Sequence, residues 1–144
     1  MDTFNRYYEP ENVRSAIKVL KKAGYFPFIP TLENSSKILC CGRTYLTNGL
    51  INHAKNEVLS ILETYKPYLK NGISIVGLEP SCILSFRDEI PNLIKNEETD
   101  YLKNYSYTFE ELLSKHSEEL KFKNLTKKVL LHGHCHQKAF DVVK

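Results

Sequence analysis

Apolar positions between residues 10 and 23 recur at helical spacing: Val13, Ala16, Ile17 and Leu20. That stripe predicts an amphipathic helix, with Gly24 as its C-terminal stop. Residues 25–29 read as a short strand, although Pro27 sits poorly inside a sheet. Residues 31–37 are polar and loop-like and lead through Ile38-Leu39 into Cys40-Cys41-Gly42. A second helical stripe covers residues 47–69, with Leu50, Ala54, Val58, Ile61 and Leu62 on one face. Pro67 is expected to end or kink that helix. Asn71-Gly72 is a turn signal, and residues 73–77 form a compact apolar strand. A short helix is expected to follow over residues 83–88, with Pro80 near its start.

Residues 95–103 are charged and weakly patterned. Thr108 and Glu111 have the spacing of a capping box at the start of another helix. Residues 121–128 read as a polar connector, 129–131 as a buried-type strand and 137–144 as the first turns of a helix. Strands alternating with helices predict an α/β fold, a parallel sheet with flanking helices. No internal repeat or low-complexity segment interrupts the pattern.

The remaining bulk properties narrow the function. The 144 residues suit one domain, or one domain and part of another, and a hydrophobic fraction of 42% suffices for a core. A formal net charge of +3, with lysines scattered over predicted helices and loops, gives no reason to expect nucleic acid. No apolar run is long enough to span a bilayer, so no transmembrane segment is expected. Met1-Asp2-Thr3-Phe4 does not open a signal peptide. The expected location is the cytoplasm, with attachment to the inner face of a membrane only through a partner. Both ends are abrupt, which suggests a fragment or a shortened gene product.

The four cysteines, Cys40, Cys41, Cys82 and Cys135, carry the chemistry. Each follows an expected strand or strand end. In an open parallel sheet this places them all on the carboxyl edge, where ligand sites gather. Adjacent side chains on an extended strand point to opposite faces. Cys40 and Cys41 can therefore approach one centre only if the backbone turns, and Gly42 tolerates the positive φ such a turn needs. Clustered thiolates favour an iron–sulfur centre or zinc. A vicinal disulfide is strained and ranks lower.

His132-Gly133-His134-Cys135-His136 is rich in ligand types, but a structural role for its histidines is at least as well supported. Arg43 could offset thiolate or substrate charge, or simply form a surface ion pair. His53, His116, Arg87 and Asp88 read as ordinary surface residues. No cysteine–histidine catalytic signature points to a hydrolase.

Three ordered motifs resemble a known family. They are Cys40-Cys41-Gly42-Arg43, Gly77-Leu78-Glu79-Pro80-Ser81-Cys82, and Leu131 through Ala139 with its His-Gly-His-Cys-His core. Together they resemble the cysteine-rich CCG domain of glycolate oxidase iron–sulfur subunits, anaerobic glycerol-3-phosphate dehydrogenase C subunits and heterodisulfide reductase B subunits. The nearest resemblance is to the iron–sulfur C-terminal part of FAD-linked D-lactate dehydrogenase-type oxidases. Asn5-Arg6-Tyr7-Tyr8-Glu9-Pro10 fits the family's opening, so the resemblance covers nearly the whole chain.

The resemblance implies a Rossmann-like layered domain over residues 1–127 and the start of a second, truncated copy over 128–144. It implies an iron–sulfur cluster on Cys40, Cys41 and Cys82, helped by Glu79 or by Cys135, which matches the opening cysteine of the second copy; His134 and His136 are further candidate metal ligands, in the zinc reading. Gly42, Arg43, Pro80 and Ser81 would shape the cofactor site, with no catalytic residue in this chain. FAD would belong to an absent partner or domain. The implied partners are a flavoprotein oxidase and a membrane-associated electron acceptor. The implied substrate is lactate, glycolate or glycerol 3-phosphate. The chain departs from the pattern at Thr3, where the first cysteine is expected, and at Glu79, the first member of the Cys-x-x-Cys pair. Those departures motivate the alternative of a degenerate, metal-free structural or subunit-interaction domain. A zinc-binding module is the weakest reading, because compact Cys-x-x-Cys pairs are missing.

Overall fold

The structure, a computed structural model, describes residues 2–30, 38–115, 120, 123 and 126–142. The loop expected at 31–37, half of the 121–128 connector, His116 and the last two positions lie outside the described residues. In chain order the elements are α1 (Thr3–Tyr7), α2 (Pro10–Lys22), α3 (Arg43–Thr47), α4 (Ile51–Leu69), β1 (Ile75–Gly77) and α5 (Pro80–Ser85). They continue with α6 (Glu89–Leu93), α7 (Glu97–Tyr105), β2 (Ser106–Thr108), α8 (Phe109–Lys115) and α9 (Cys135–Ala139).

Local chemistry accounts for most of these boundaries. Asp2 caps α1 by accepting the Asn5 backbone N–H at 2.8 Å. Helix α2 stops where Gly24 adopts φ +85°. Helix α4 runs through Pro67 to Leu69 instead of ending before it. Its first turns and core face are already formed by then, so the proline falls in the last turn. The expected capping box is present at α8. Thr108 donates its N–H to Glu111 Oε2 at 2.8 Å, and Glu111 returns its N–H to the Thr108 hydroxyl at 3.3 Å. A second box, Asn96 with Thr99, starts α7 in the stretch that read as weakly patterned.

The fold is mostly helical around a two-stranded parallel sheet, compatible with the α/β class. Ile75 pairs with Ser106, Val76 with Tyr107 and Gly77 with Thr108. Three expected strands differ. Residues 25–29 and 38–39 are irregular. Residues 129–131 are irregular too, and Val129, Leu130 and Leu131 are 79, 99 and 76% exposed. Apolar composition favours a strand only where neighbouring residues pack against it.

The core joins Val58, Ile61, Leu62 and Leu69 of α4 to Ile83 and Leu84 of α5, Phe86, Ile90 of α6 and Leu102 of α7. Each such side chain contributes about 1.5–3 kcal/mol relative to exposure. This block fixes α4, α5 and β1 relative to one another, and the thiol site is built against those three elements. Among the described residues no helix is long and apolar enough to cross a membrane.

Candidate functional site

Gly42 sets the geometry at the double cysteine. Its φ is +78°, the left-handed turn expected there, and it forms the N-cap of α3. A Cβ at this position would lie 3.1 Å from the carbonyl oxygen of buried Ala54, so the turn is pressed directly against α4. Cys41 points inward and packs on the core. The Cys40 sulfur accepts the Gly42 N–H at 3.5 Å.

Cys82 arrives from the other side of the site on α5. Pro80 opens that helix, and the Glu79 carboxylate caps it by accepting the Ser81 N–H at 3.2 Å and the Ser81 hydroxyl at 2.6 Å. The Ser85 hydroxyl in turn donates to the Cys82 carbonyl at 2.7 Å. At the end of β1, Gly77 leaves room for Ile83, whose Cβ lies 2.3 Å from where a Gly77 Cβ would stand. Helix α5 therefore sits down on the strand end and delivers Cys82 beside Cys41, with the two sulfurs 3.2 Å apart.

These thiols open on a cavity of about 530 Å³, a size suited to a small ligand or cofactor. Thr3, Cys40, Cys41, Glu79 and Cys82 all line it. Those are the five positions that the CCG pattern assigns to cysteine, so α1 and α5 bring even the two departures to the same place. The remaining wall is apolar and aromatic, with Ile17 and Leu20 of α2, Phe28, Leu39 and Tyr65 among its residues.

The electrostatics favour neutral thiols in the metal-free chain. Cys40 is pushed well above the usual thiol range by its hydrogen bond with Cys41 and by burial. At Cys41 the Cys40 contact lowers the pKa. Its hydrogen bond to Cys82 and burial outweigh that effect and lift it to about 11. A cation binding here would have to displace those protons.

The Arg43 backbone N–H bonds to the Cys41 sulfur, while its side chain is engaged elsewhere. Its guanidinium pairs with Glu89 and donates to His136 Nε2 at 3.0 Å, tying α3 to α6 and α9. His136 is held below its usual pKa by burial, then by Arg43 and His134. His134 caps α9 by accepting the His136 N–H at 3.2 Å, and Gln137 completes the box. Cys135 is exposed and does not line the cavity. The structure thus brings Cys40, Cys41 and Cys82 together, with Glu79 beside them engaged as a cap. Cys135, His134 and His136 lie outside the cavity lining, at the start of α9, which packs against α5. Among the described residues no group of three or more His, Cys, Asp or Glu side chains is placed to hold one metal ion.

Two further residues were not apparent from sequence. Arg87 is no ordinary surface residue: it grips both carboxylate oxygens of Glu111 at 2.9 and 2.7 Å and donates to the Ser106 carbonyl at 2.9 Å. Gly77 is required by the close approach of Ile83, a packing demand that no local pattern announces.

Comparison with known proteins finds distant relatives. The chain is 26% identical over 137 residues to the C subunit of the anaerobic glycerol-3-phosphate dehydrogenase of Escherichia coli strain K12, covering 92% of this chain and 33% of the relative. It is 23% identical over 100 residues to the D-2-hydroxyglutarate dehydrogenase of Haemophilus influenzae, covering 69% of this chain and 9% of that protein. A D-2-hydroxyglutarate dehydrogenase of Pantoea ananatis gives 24% over 101 residues. The chain is distantly similar to oxidoreductases and their subunits. It spans about a third of the length of the first of these relatives. No family model and no solved structure matches it.

Proposed function

We propose that the chain is the iron–sulfur electron-transfer segment of a flavin-linked oxidoreductase, with the cluster held by Cys40, Cys41 and Cys82. The observation that carries this reading is the convergence of all five CCG positions on one cavity, three of them thiols. A cluster spreads its ligands around an inorganic core several ångströms across. It therefore asks for a thiol-lined cavity and not for three donors touching a single ion. Soft donors and space support the reading, and Cys41 and Cys82, whose sulfurs touch at 3.2 Å in the metal-free chain, would have to separate to span such a core. When bound, the cluster would supply one-electron transfer. Cys40, Cys41 and Cys82 would anchor it, while Gly42 and Gly77 let backbone and helix approach closely enough to present them.

Residues 128–144 would open a second CCG copy, and the whole would extend the observed sheet to Rossmann-like layering. The distant relatives support an oxidoreductase partner. A flavoprotein acting on a 2-hydroxy acid or glycerol 3-phosphate, and an acceptor at the inner membrane that would hold this chain peripherally in the cytoplasm, belong to the same proposal. Anaerobic reconstitution with iron and sulfide, followed by iron and acid-labile sulfide analysis and EPR, tests it. Bound cluster with a reducible EPR signal supports it; a folded chain that retains neither iron nor sulfide overturns it.

One observation favours a second reading, a metal-free structural or subunit-interaction domain. Glu79 spends its carboxylate on capping α5, and Thr3 offers no thiolate. The same reconstitution separates the two, since a redox-cycling cluster is incompatible with the second.

A further inference from the structure

We infer that Cys41 and Cys82 form a reversible intramolecular disulfide in the metal-free chain, which makes the thiol site an oxidation-gated one. This concerns regulation of the site just described and rests on that reading for its consequence, but not for its chemistry.

The sulfurs of Cys41 and Cys82 are 3.2 Å apart, inside ordinary sulfur–sulfur contact distance, and both residues are half-buried beside the cavity. A disulfide bond of about 2.05 Å needs these two sulfurs to close by a little over 1 Å. The other pairings are less suited. Cys40 and Cys41 are neighbours, so their bridge would close a strained ring, and the Cys40 sulfur is turned back onto the Gly42 N–H. Cys135 is exposed on α9 and does not line the cavity. The cavity gives a small oxidant access to the pair.

The oxidant is a small-molecule disulfide. One of the two cysteines, as thiolate, attacks it and forms a mixed disulfide, releasing one small thiol. The second cysteine thiolate then attacks the protein sulfur of that mixed disulfide and expels the second small thiol. Two electrons pass from the protein pair to the small disulfide, and the two protons leave with the two released thiols. The oxidised chain keeps only Cys40 as a free thiol in the cavity and cannot offer three sulfurs to a cluster. Reduction by a dithiol restores the site.

The test uses the full chain, reduced under anaerobic conditions, freed of metal, then equilibrated with oxidised glutathione and alkylated. Peptide mass spectrometry should show a Cys41–Cys82 link, with free thiols falling from the four of the sequence to half that number. Dithiothreitol should return them all. In Cys40→Ser the link should persist, which separates it from a vicinal bridge. Full alkylation of all four cysteines after oxidation, or a link joining Cys40 to Cys41, would overturn the inference. Reconstitution of the reduced chain is read separately. A disulfide that forms in a chain unable to take up iron and sulfide sinks the cluster reading alone. A cluster that assembles in a chain unable to form the link sinks this inference alone.

Discussion

Replacing Gly42 by alanine tests the turn that presents the double cysteine, and its cost divides into two parts. The first is conformational. At φ +78° an L-residue is strained by roughly 1–2 kcal/mol. The second is packing. The new Cβ would stand 3.1 Å from the Ala54 carbonyl oxygen and 3.4 Å from its Cα, both backbone atoms of α4. Ala54 is fully buried, so neither atom can swing aside as a side-chain tip would, and overpacking of this kind costs about 1–3 kcal/mol. The sum is about 2–5 kcal/mol, a large share of the stability of a domain of this size. Gly24 supplies the control. Its φ is +85°, but a Cβ there meets nothing within 4 Å, so Gly24→Ala should show the conformational part alone. Urea unfolding followed by circular dichroism measures both variants. Gly42→Ala should lose at least about 1 kcal/mol more than Gly24→Ala. Equal losses would refute the close approach to α4, and a neutral Gly42→Ala would refute the turn itself.

Gly77→Ala should be more damaging still, because its Cβ would overlap Ile83 Cβ at 2.3 Å and force α5 off β1. Thermal unfolding should report a loss of more than about 2 kcal/mol, with Cys82 alkylated faster. Glu111 is held below its usual pKa: burial alone would raise it, but Arg87 and the Thr108 N–H outweigh that. Its contribution is present above the unfolded carboxylate pKa and lost as pH falls through the depressed value. Glu111→Gln should therefore flatten the acid limb of stability against pH. Cys41 runs the opposite way. Its pKa is raised from 9.0 to about 11, so its contribution is full below 9 and fades as pH rises toward 11. The slope from Cys41 over that window is roughly 1.4 kcal/mol per pH unit, and because Cys40 is raised too, Cys41→Ser should make alkaline unfolding curves shallower without flattening them.

Helices with local signals were legible in the sequence. The apolar stripes of α2 and α4, the Thr108–Glu111 box and the proline at the start of α5 all act within a few residues of themselves. The sheet was less legible. Ser106-Tyr107-Thr108 has no apolar alternation and becomes a strand by pairing with β1 while Arg87 satisfies the Ser106 carbonyl. Val129-Leu130-Leu131 has strand composition but lies exposed, so its composition alone did not make it a strand. At the site, the turn at Gly42 could be anticipated from the need to aim adjacent cysteines at one centre. That Cys135 is missing from the cavity lining could not, because it depends on how α9 sits: packed against α5, with His136 bonded to Arg43.

Cys40, Cys41 and Cys82 line one cavity, and Cys135 is not among its lining residues. Acid-labile sulfide and iron retained after anaerobic reconstitution of Cys82→Ser and Cys135→Ser, each against the parent chain, test this most directly. Cys135→Ser should retain the parent's cluster content and EPR signal, and Cys82→Ser, still folded, should lose most of both. Cluster retained without Cys82, or lost without Cys135, would contradict it.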